Sequence, residues 1–154
     1  MTFMFSSFCK FIQNGHDAIL IIIGDDSNRL IKKELDQINT SDRIFFLGTK
    51  NNVTDYLALS DYFCLSSSWE GLPISLLEAG LSGLYAISTP VGVIDVITNN
   101  TIGVLSKDLS INAYTKALEQ AWNIIPDKNT IKQLYQKKYS MKTCAEQYYK
   151  AFNK

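Results

Sequence analysis

The sequence predicts an α/β fold, a doubly wound parallel sheet with helices on both faces, in one domain spanning 1–154. Three observations carry this. Short apolar runs bounded by Gly, Asp, Asn or Ser alternate with segments of helical periodicity, the pattern of strand–helix–strand units. The runs are nearly continuous in apolar residues, as in strands buried on both faces. Gly24, Gly48 and the loop Ser66–Gly71 each follow such a run, so three loops converge on the carboxyl edge of the sheet, where ligands bind in sheets of this kind.

Taken in order, residues 1–14 form an N-terminal helix, rich in Phe, with Phe5, Phe8, Phe11 and Ile12 among its buried side chains. Two other destinations are open to it. One is a membrane interface, for which it carries almost no Lys or Arg. The other is a surface covered by a partner domain. Ala18–Ile23 reads as a buried strand; it is the longest apolar run and far too short to cross a membrane. Strands follow at Arg43–Leu47, Tyr62–Ser66 and Tyr85–Ser88, with a weaker one at Gly103–Leu105. Between them Asn28–Ile38, Val53–Leu59 and Pro73–Leu81 have helical periodicity. Residues 110–154 are helical. Ser110 caps a run through Ile124, Pro126 ends it, and Lys128–Lys138 and Lys142–Phe152 are divided near Tyr139 and Ser140.

Composition narrows the function classes. Fifteen basic and fifteen acidic residues give no net charge, hence no basic face for nucleic acid. Cys9, Cys64 and Cys144 are scattered, odd in number and without metal-ligand spacing, so they read as reduced thiols of a cytoplasmic protein. His16, the single histidine, has no cysteine near it for a zinc site. Ser66, Ser67 and Ser68 lack the His and Asp that would make a hydrolase of them.

The most informative stretch is Ser66-Ser67-Ser68-Trp69-Glu70-Gly71-Leu72-Pro73-Ile74-Ser75-Leu76-Leu77-Glu78-Ala79. It sets two carboxylates, Glu70 and Glu78, across a loop-to-helix junction. Pro73 fits a first helical position, where its missing N–H would be unpaired anyway. The amides of Gly71, Leu72, Ile74 and Ser75 then stand free at the positive end of a helix dipole, a site for phosphate. Ile74, Glu78 and Leu81 share one side of the helix, so Glu78 sits beside an apolar face, where a charge is costly without a hydrogen-bond partner. Two readings satisfy it: a pair of ligand hydroxyls, such as the cis diol of a ribose, or solvent reached by snorkelling.

The Glu-x7-Glu element, with its continuation Glu78-Ala79-Gly80-Leu81-Ser82-Gly83, resembles that of the retaining GT-B glycosyltransferases of the glycogen-synthase-like, bacterial polysaccharide type (group 1). Other pieces fall in that family's order. Leu20-Ile21-Ile22-Ile23-Gly24-Asp25 is similar to its donor loop after a strand, and Arg43-Ile44-Phe45-Phe46-Leu47-Gly48 to the strand that comes next. Asp55–Asp61 resembles the short helix leading into the Ser-rich strand, and the likeness runs on through Thr98-Asn99-Asn100 and Thr101–Leu105 to the C-terminal helices. It covers roughly residues 15 to 152, and the ordered set is specific where each piece alone is weak.

The resemblance implies the C-terminal, donor-binding, Rossmann-like half of such an enzyme, acting on a nucleotide-diphosphate sugar with no cofactor and no metal. On that footing Glu70 and Glu78 are the catalytic-centre carboxylates, Glu78 on the ribose and Glu70 on the donor sugar. The amides of Gly71, Leu72, Ile74 and Ser75 hold the diphosphate beside Pro73. The backbone after Gly48, near Thr49 and Lys50, meets the base, and Gly24 either turns tightly near the donor or is an ordinary strand-ending glycine. Tyr56 lines the nucleotide pocket or packs its helix, and Trp69 stacks on a sugar or packs its loop. Tyr148, Tyr149 and Phe152 are expected in the core of this domain, with packing on the family's other domain as the alternative. The family's preceding strand and loop, which bring an Arg and a Lys to the diphosphate, have no counterpart here, and Lys10 does not inherit the role. Val93 stands where the family has a second glycine. The expected partners are a nucleotide sugar and a separate acceptor-binding domain or chain, without nucleic acid and with peripheral membrane contact left open. Two functions follow: a donor half that transfers only with an acceptor domain, or a nucleotide-sugar-binding module without catalysis. A nucleotide-sugar epimerase of related fold is a third.

Overall fold

The computed structural model describes residues 2–38, 42–92, 96–97 and 100–153. In chain order the elements are α1 (Thr2–Gln13), β1 (Leu20–Ile22), α2 (Leu30–Leu35), β2 (Ile44–Phe46), α3 (Val53–Leu59), β3 (Tyr62–Leu65), α4 (Ile74–Leu81), β4 (Tyr85–Ser88), β5 (Gly103–Leu105), α5 (Ile111–Trp122), α6 (Lys128–Tyr139) and α7 (Met141–Phe152). Every expected element is present. β4, β5 and α3 have the expected bounds, and the others differ by a few residues at their ends.

β4 lies at the centre. All four of its residues are buried, because α5 packs on one of its faces and α4 on the other. α1 runs beside α5. Lys10 Nζ donates to Asn112 Oδ1 at 2.6 Å and Asn14 Nδ2 to Glu119 Oε1 at 2.6 Å, while Phe3 meets Tyr114 edge to face. Phe5, Phe8 and Phe11 are buried in the core, Ile12 is half-buried, and Phe11 stacks on His16. Of the destinations open to this helix, the structure shows the core of this domain. The chain's C-terminal helices meet at Ser140, which ends α6 and caps α7 by accepting Thr143 N–H at 3.2 Å.

Three expectations change. The sheet is not continuous: β1 pairs in parallel with β2, and β3, β4 and β5 form a separate parallel ladder. β1 is not buried on both faces either, since Ile19 and Ile21 are 60% and 44% exposed. α7 contributes nothing to the core. Its main packing among the described residues is on α6, which leaves Tyr148, Tyr149 and Phe152 exposed, and Tyr148 and Phe152 stack on each other instead. Residues 93, 98 and 99 lie outside the described residues, and with them the readings placed on Val93, Thr98 and Asn99. Among the described residues no helix is long and apolar enough to cross a membrane.

Burial acts on the acidic protons of the core. It pushes the Cys64 thiol up to about 11 and raises the hydroxyls of Tyr62, Tyr85, Tyr114 and Tyr135 above their ordinary value. The folded state therefore keeps protons that the unfolded chain sheds above about pH 9. Stability is full below that point and declines as pH climbs through 9 to 11, while Cys64 alkylates slowly in the folded protein at pH 8. Thermal unfolding at pH 7.5 and 10.5 and timed iodoacetamide labelling check the two expectations.

Candidate functional site

The site grows from the end of β3. The Leu65 carbonyl accepts Thr89 N–H at 3.1 Å, and the buried Tyr114 hydroxyl shares its donation between Leu65 O and Ile87 O at 3.3 and 3.1 Å. These contacts clamp the carboxyl ends of β3 and β4 to α5. The loop that follows is held from beneath. The fully buried Thr89 hydroxyl donates to Ser67 O at 2.6 Å, and Ser67 Oγ donates to Glu70 Oε1 at 2.6 Å, which orients that carboxylate. Neither Ser67 nor Thr89 is among the candidates read from the sequence. A hydroxyl next to a strand end is too common a signal to have marked them.

Gly92 crosses under the same loop with φ +63°, and a Cβ there would stand 2.1 Å from the Glu70 carbonyl oxygen and 2.8 Å from that of Gly71. Those neighbours are backbone, so the loop itself would have to move. Gly92→Ala is expected to destabilise the protein by roughly 1–3 kcal/mol through left-handed strain and displacement of Glu70. Chemical denaturation and loss of ligand affinity together check it.

At the start of α4 the structure corrects the reading of Pro73. Its ψ of 114° is extended, so Pro73 is the N-cap rather than the first helical residue, and its ring is buried. The Pro73 carbonyl accepts Leu76 N–H at 3.1 Å, a tightened first turn. No side chain caps this end, and the amides of Gly71, Leu72, Ile74 and Ser75 meet no acceptor among the described residues. Gly71, Leu72, Ile74 and Ser75 are all exposed, with Trp69 83% exposed beside them, so Trp69 does not pack its loop.

Glu78 is also placed differently from its sequence reading. The buried face of α4 is Leu76, Ala79 and Gly80, with Leu77 and Leu81 half-buried against the core and Ile74 outside it, because Gly80 is pressed against Tyr135 of α6. That rotation leaves Ile74 71% exposed and turns Glu78 outward. Glu78 faces a cavity of about 1090 Å³ that opens at the carboxyl edge, with Ser75, Gly24, Thr49, Lys50 and Tyr56 also on its wall. Gly24 N–H donates to Gly48 O at 3.2 Å, tying the first two loops together. A smaller hollow beside them, about 270 Å³, is lined by Gly24, Gly48 and Thr49 along with Arg29 and Lys32, two cations that spacing alone did not mark. Arg29 takes φ 54°, a left-handed conformation held where Asp26 caps α2 through Ile31 and Lys32 N–H, both at 3.0 Å.

The structure thus gathers Gly24, Thr49, Lys50, Ser75 and Glu78 on one cavity wall, sets Glu70 on the adjoining loop, and leaves Gly48 one hydrogen bond behind. Open amides at a helix N-terminus suit an anion, and an exposed carboxylate facing a polar wall suits paired hydroxyls. No cluster of His, Cys, Asp and Glu able to hold a metal occurs among the described residues.

Residues 4–140 match the family model described as "Glycosyl transferases group 1". The chain belongs to this family. Among curated relatives of this group 1 chain, a UDP-Gal:α-D-GlcNAc-diphosphoundecaprenol α-1,3-galactosyltransferase from Escherichia coli is 31% identical over 105 residues, 66% of this chain and 27% of the relative. An N-acetyl-α-D-glucosaminyl L-malate synthase from Bacillus anthracis is 34% identical over 113 residues, 72% of this chain and 29% of the relative. The group 1 chain therefore spans under a third of the length of these two relatives. Among solved structures, a mutant of S. aureus TarM in complex with fondaparinux, α-GlcNAc-glycerol and UDP superimposes with a TM-score of 0.84 at 20% identity, over 99% of this chain and 32% of that one. Anabaena HepE in complex with UDP gives 0.77 at 14% identity, over 95% and 44%. These likenesses show the GT-B, Rossmann-like fold.

Proposed function

We propose that this chain binds the nucleotide-diphosphate sugar for retaining, metal-independent glycosyl transfer in polysaccharide or glycoconjugate assembly, with the acceptor site outside these 154 residues. The observation that carries the reading is Glu78 on the wall of the cavity with Ser75, Thr49 and Lys50, next to unpaired amides at the start of α4. A nucleotide sugar matches each feature. Its diphosphate goes to the amides of Gly71, Leu72, Ile74 and Ser75, its ribose diol to Glu78, its base to the backbone near Gly48, Thr49 and Lys50, and its sugar hydroxyls to Glu70. Gly24 leaves the base-side loop close to the donor. Two of the solved neighbours hold UDP, and one curated relative is named for a UDP-galactose donor, which makes UDP the first nucleotide to test.

Bond cleavage at the anomeric carbon leaves charge on the departing diphosphate. Open amides preorganised at a helix terminus stabilise it without reorganisation in the transition state. Lys50 is a cation on the same wall. Missing donors of this kind cost on the order of 10²–10³ in rate each. The chain alone is therefore expected to bind the donor and not to transfer it. The second reading is a module that binds the donor without catalysis.

The test is calorimetric titration with UDP, GDP and ADP, under reducing conditions and without metal. Saturable binding of one nucleotide supports a working donor site and names its base. A folded chain that binds none of the three overturns the proposal. If one binds, transfer to a lipid-linked or soluble sugar acceptor with an acceptor domain added in trans separates the enzyme half from the silent module.

A further inference from the structure

The loop that carries Glu70 has little of its own to hold it. Trp69 and Leu72 are 83% and 53% exposed, so neither packs the loop onto the core, and within 66–73 only Pro73 is buried. Among the described residues no backbone–backbone hydrogen bond joins 66–72 to the rest of the molecule. Two hydroxyls in series take that place. Thr89 Oγ1 donates to Ser67 O at 2.6 Å, and Ser67 Oγ donates to Glu70 Oε1 at 2.6 Å. A hydroxyl has one proton to give, and both protons are used on this line. Its root is fixed. Thr89 follows β4 and is fully buried; its N–H donates to Leu65 O at 3.1 Å and its carbonyl accepts Ser88 Oγ at 2.9 Å. A β-branched side chain on so constrained a backbone has little choice of rotamer, so the hydroxyl points one way. Glu78 has a different support, because α4 is seated by Gly80 against Tyr135 of α6.

We propose that Thr89 is a positioning residue for recognition of the donor sugar: acting through Ser67 it sets the Glu70 carboxylate, and it leaves nucleotide recognition at Glu78 untouched. The sugar role rests on the function proposed above, in which Glu70 takes the sugar hydroxyls. Thr89 is 0% exposed, so any effect it has on a ligand passes through the loop. The Ser67 hydroxyl occupies one acceptor direction of Oε1 and fixes the plane of the carboxylate, which leaves Oε2 aligned for an incoming hydroxyl. A glutamate without that line would be ordered only on binding, and the lost rotamer freedom would come off the affinity. Thr89→Val removes the hydroxyl while keeping the branched shape. Ser67 O then lacks its donor and the loop lacks its tie, whereas the seat of α4 on α6 is unchanged. The donor site therefore divides into two independently held parts. The sugar carboxylate hangs from the end of β4, and the ribose carboxylate from the α4–α6 contact.

Two readouts on the 154-residue chain and its Thr89→Val, Thr89→Ser and Ser67→Ala variants test the proposal. The first needs no ligand. The carboxyl carbon resonance of Glu70 in NMR should shift in Thr89→Val and in Ser67→Ala, and return toward its wild-type position in Thr89→Ser, which keeps the hydroxyl. That of Glu78 should stay in place. A Glu70 resonance unmoved by Thr89→Val overturns the proposal, and Thr89→Ala carries the same measurement if the valine variant does not fold. The second readout is calorimetric. UDP is compared with UDP-glucose, UDP-galactose and UDP-N-acetylglucosamine, or GDP with GDP-mannose and ADP with ADP-glucose where that is the nucleotide bound. Thr89→Val should weaken binding of the nucleotide sugar about tenfold, with binding of the bare nucleotide within about twofold of wild type. Thr89→Ser should bind both as wild type does. Ser67→Ala should lose as much as Thr89→Val, and the double variant no more than either, because both act on one line. Equal losses for nucleotide and nucleotide sugar would show a general disturbance of the site and overturn the proposal. So would additive losses in the double variant. A folded chain that binds no nucleotide overturns the functional reading and the sugar role with it. The Glu70 resonance, read without ligand, still decides whether Thr89 holds that carboxylate, so the two failures are told apart.

Discussion

Glu78→Ala is expected to weaken nucleoside-diphosphate binding by about 30-fold, with the fold left intact. Hydrogen bonds to a charged group contribute about 1.5–3 kcal/mol each, and ~2 kcal/mol corresponds to about 30-fold in Kd. The side chain is exposed and makes no contact that supports α4, so removing it should change stability by less than about 0.5 kcal/mol. The sharper measurement pairs the variant with a 2′-deoxy nucleotide. If Glu78 holds the ribose diol, the wild-type chain loses affinity when the 2′-hydroxyl is removed and the variant does not, because the two deletions remove the same interaction. Additive losses would place Glu78 elsewhere in the site. Glu78→Gln, which keeps an acceptor and loses the charge, should fall between the two.

Gly80→Ala is expected to destabilise the protein strongly. A Cβ at Gly80 would lie 2.2 Å from Cε1 and 2.3 Å from Cζ of Tyr135, a side chain that is 1% exposed and cannot swing away. Alanine gains helix propensity of about 1 kcal/mol over glycine, and overpacking a closed core costs typically 1–3 kcal/mol and sometimes more. The clash here is deep and central, so the net loss should be ~2–3 kcal/mol and Tm should fall by about 5–10 °C. Compensation tests the cause. Tyr135→Leu in the Gly80→Ala background should restore part of the loss, since the two residues share one space. Tyr135 offers a separate check. Its hydroxyl is buried with no hydrogen-bond partner among the described residues, so Tyr135→Phe alone should be neutral or stabilising by about 1 kcal/mol. A Tyr135→Phe variant that loses stability would point to a partner for that hydroxyl.

These two glycine- and glutamate-centred effects show where sequence reading stops. The Glu-x7-Glu spacing marked both carboxylates and the helix start, but periodicity alone did not tell that Ile74 is left out of the core while Leu77 and Leu81 reach it. Ile74, Leu77 and Leu81 are as apolar as Leu76 and Ala79, so the pattern does not choose among them. A close helix crossing does, because only the Gly80 side lets Tyr135 approach. The same limit applies to Tyr148, Tyr149 and Phe152, whose apolar character says that they would pack against something and not that this domain has room for them. Gly92 was legible as the first of the two positions where the family has a glycine pair, whereas the hydrogen bonds of Thr89 and Ser67 were not, since they depend on atoms that come close only after folding.

The sequence by itself determined the elements, their order, the convergence of three loops on one edge and the family. The elements and their order follow from local patterning, namely apolar period, capping residues such as Ser110 and Asp127, and glycines at strand ends, whereas the family follows from the resemblance of the ordered motifs around Glu70 and Glu78. Tertiary structure alone decided three things: that the Phe-rich α1 is core, that Glu78 faces the cavity, and that the strands fall into two separate parallel ladders. The physical reason is that strand pairing and helix-face choice are settled by contacts between distant segments. Local composition constrains which residues are buried far more tightly than it constrains which neighbour buries them.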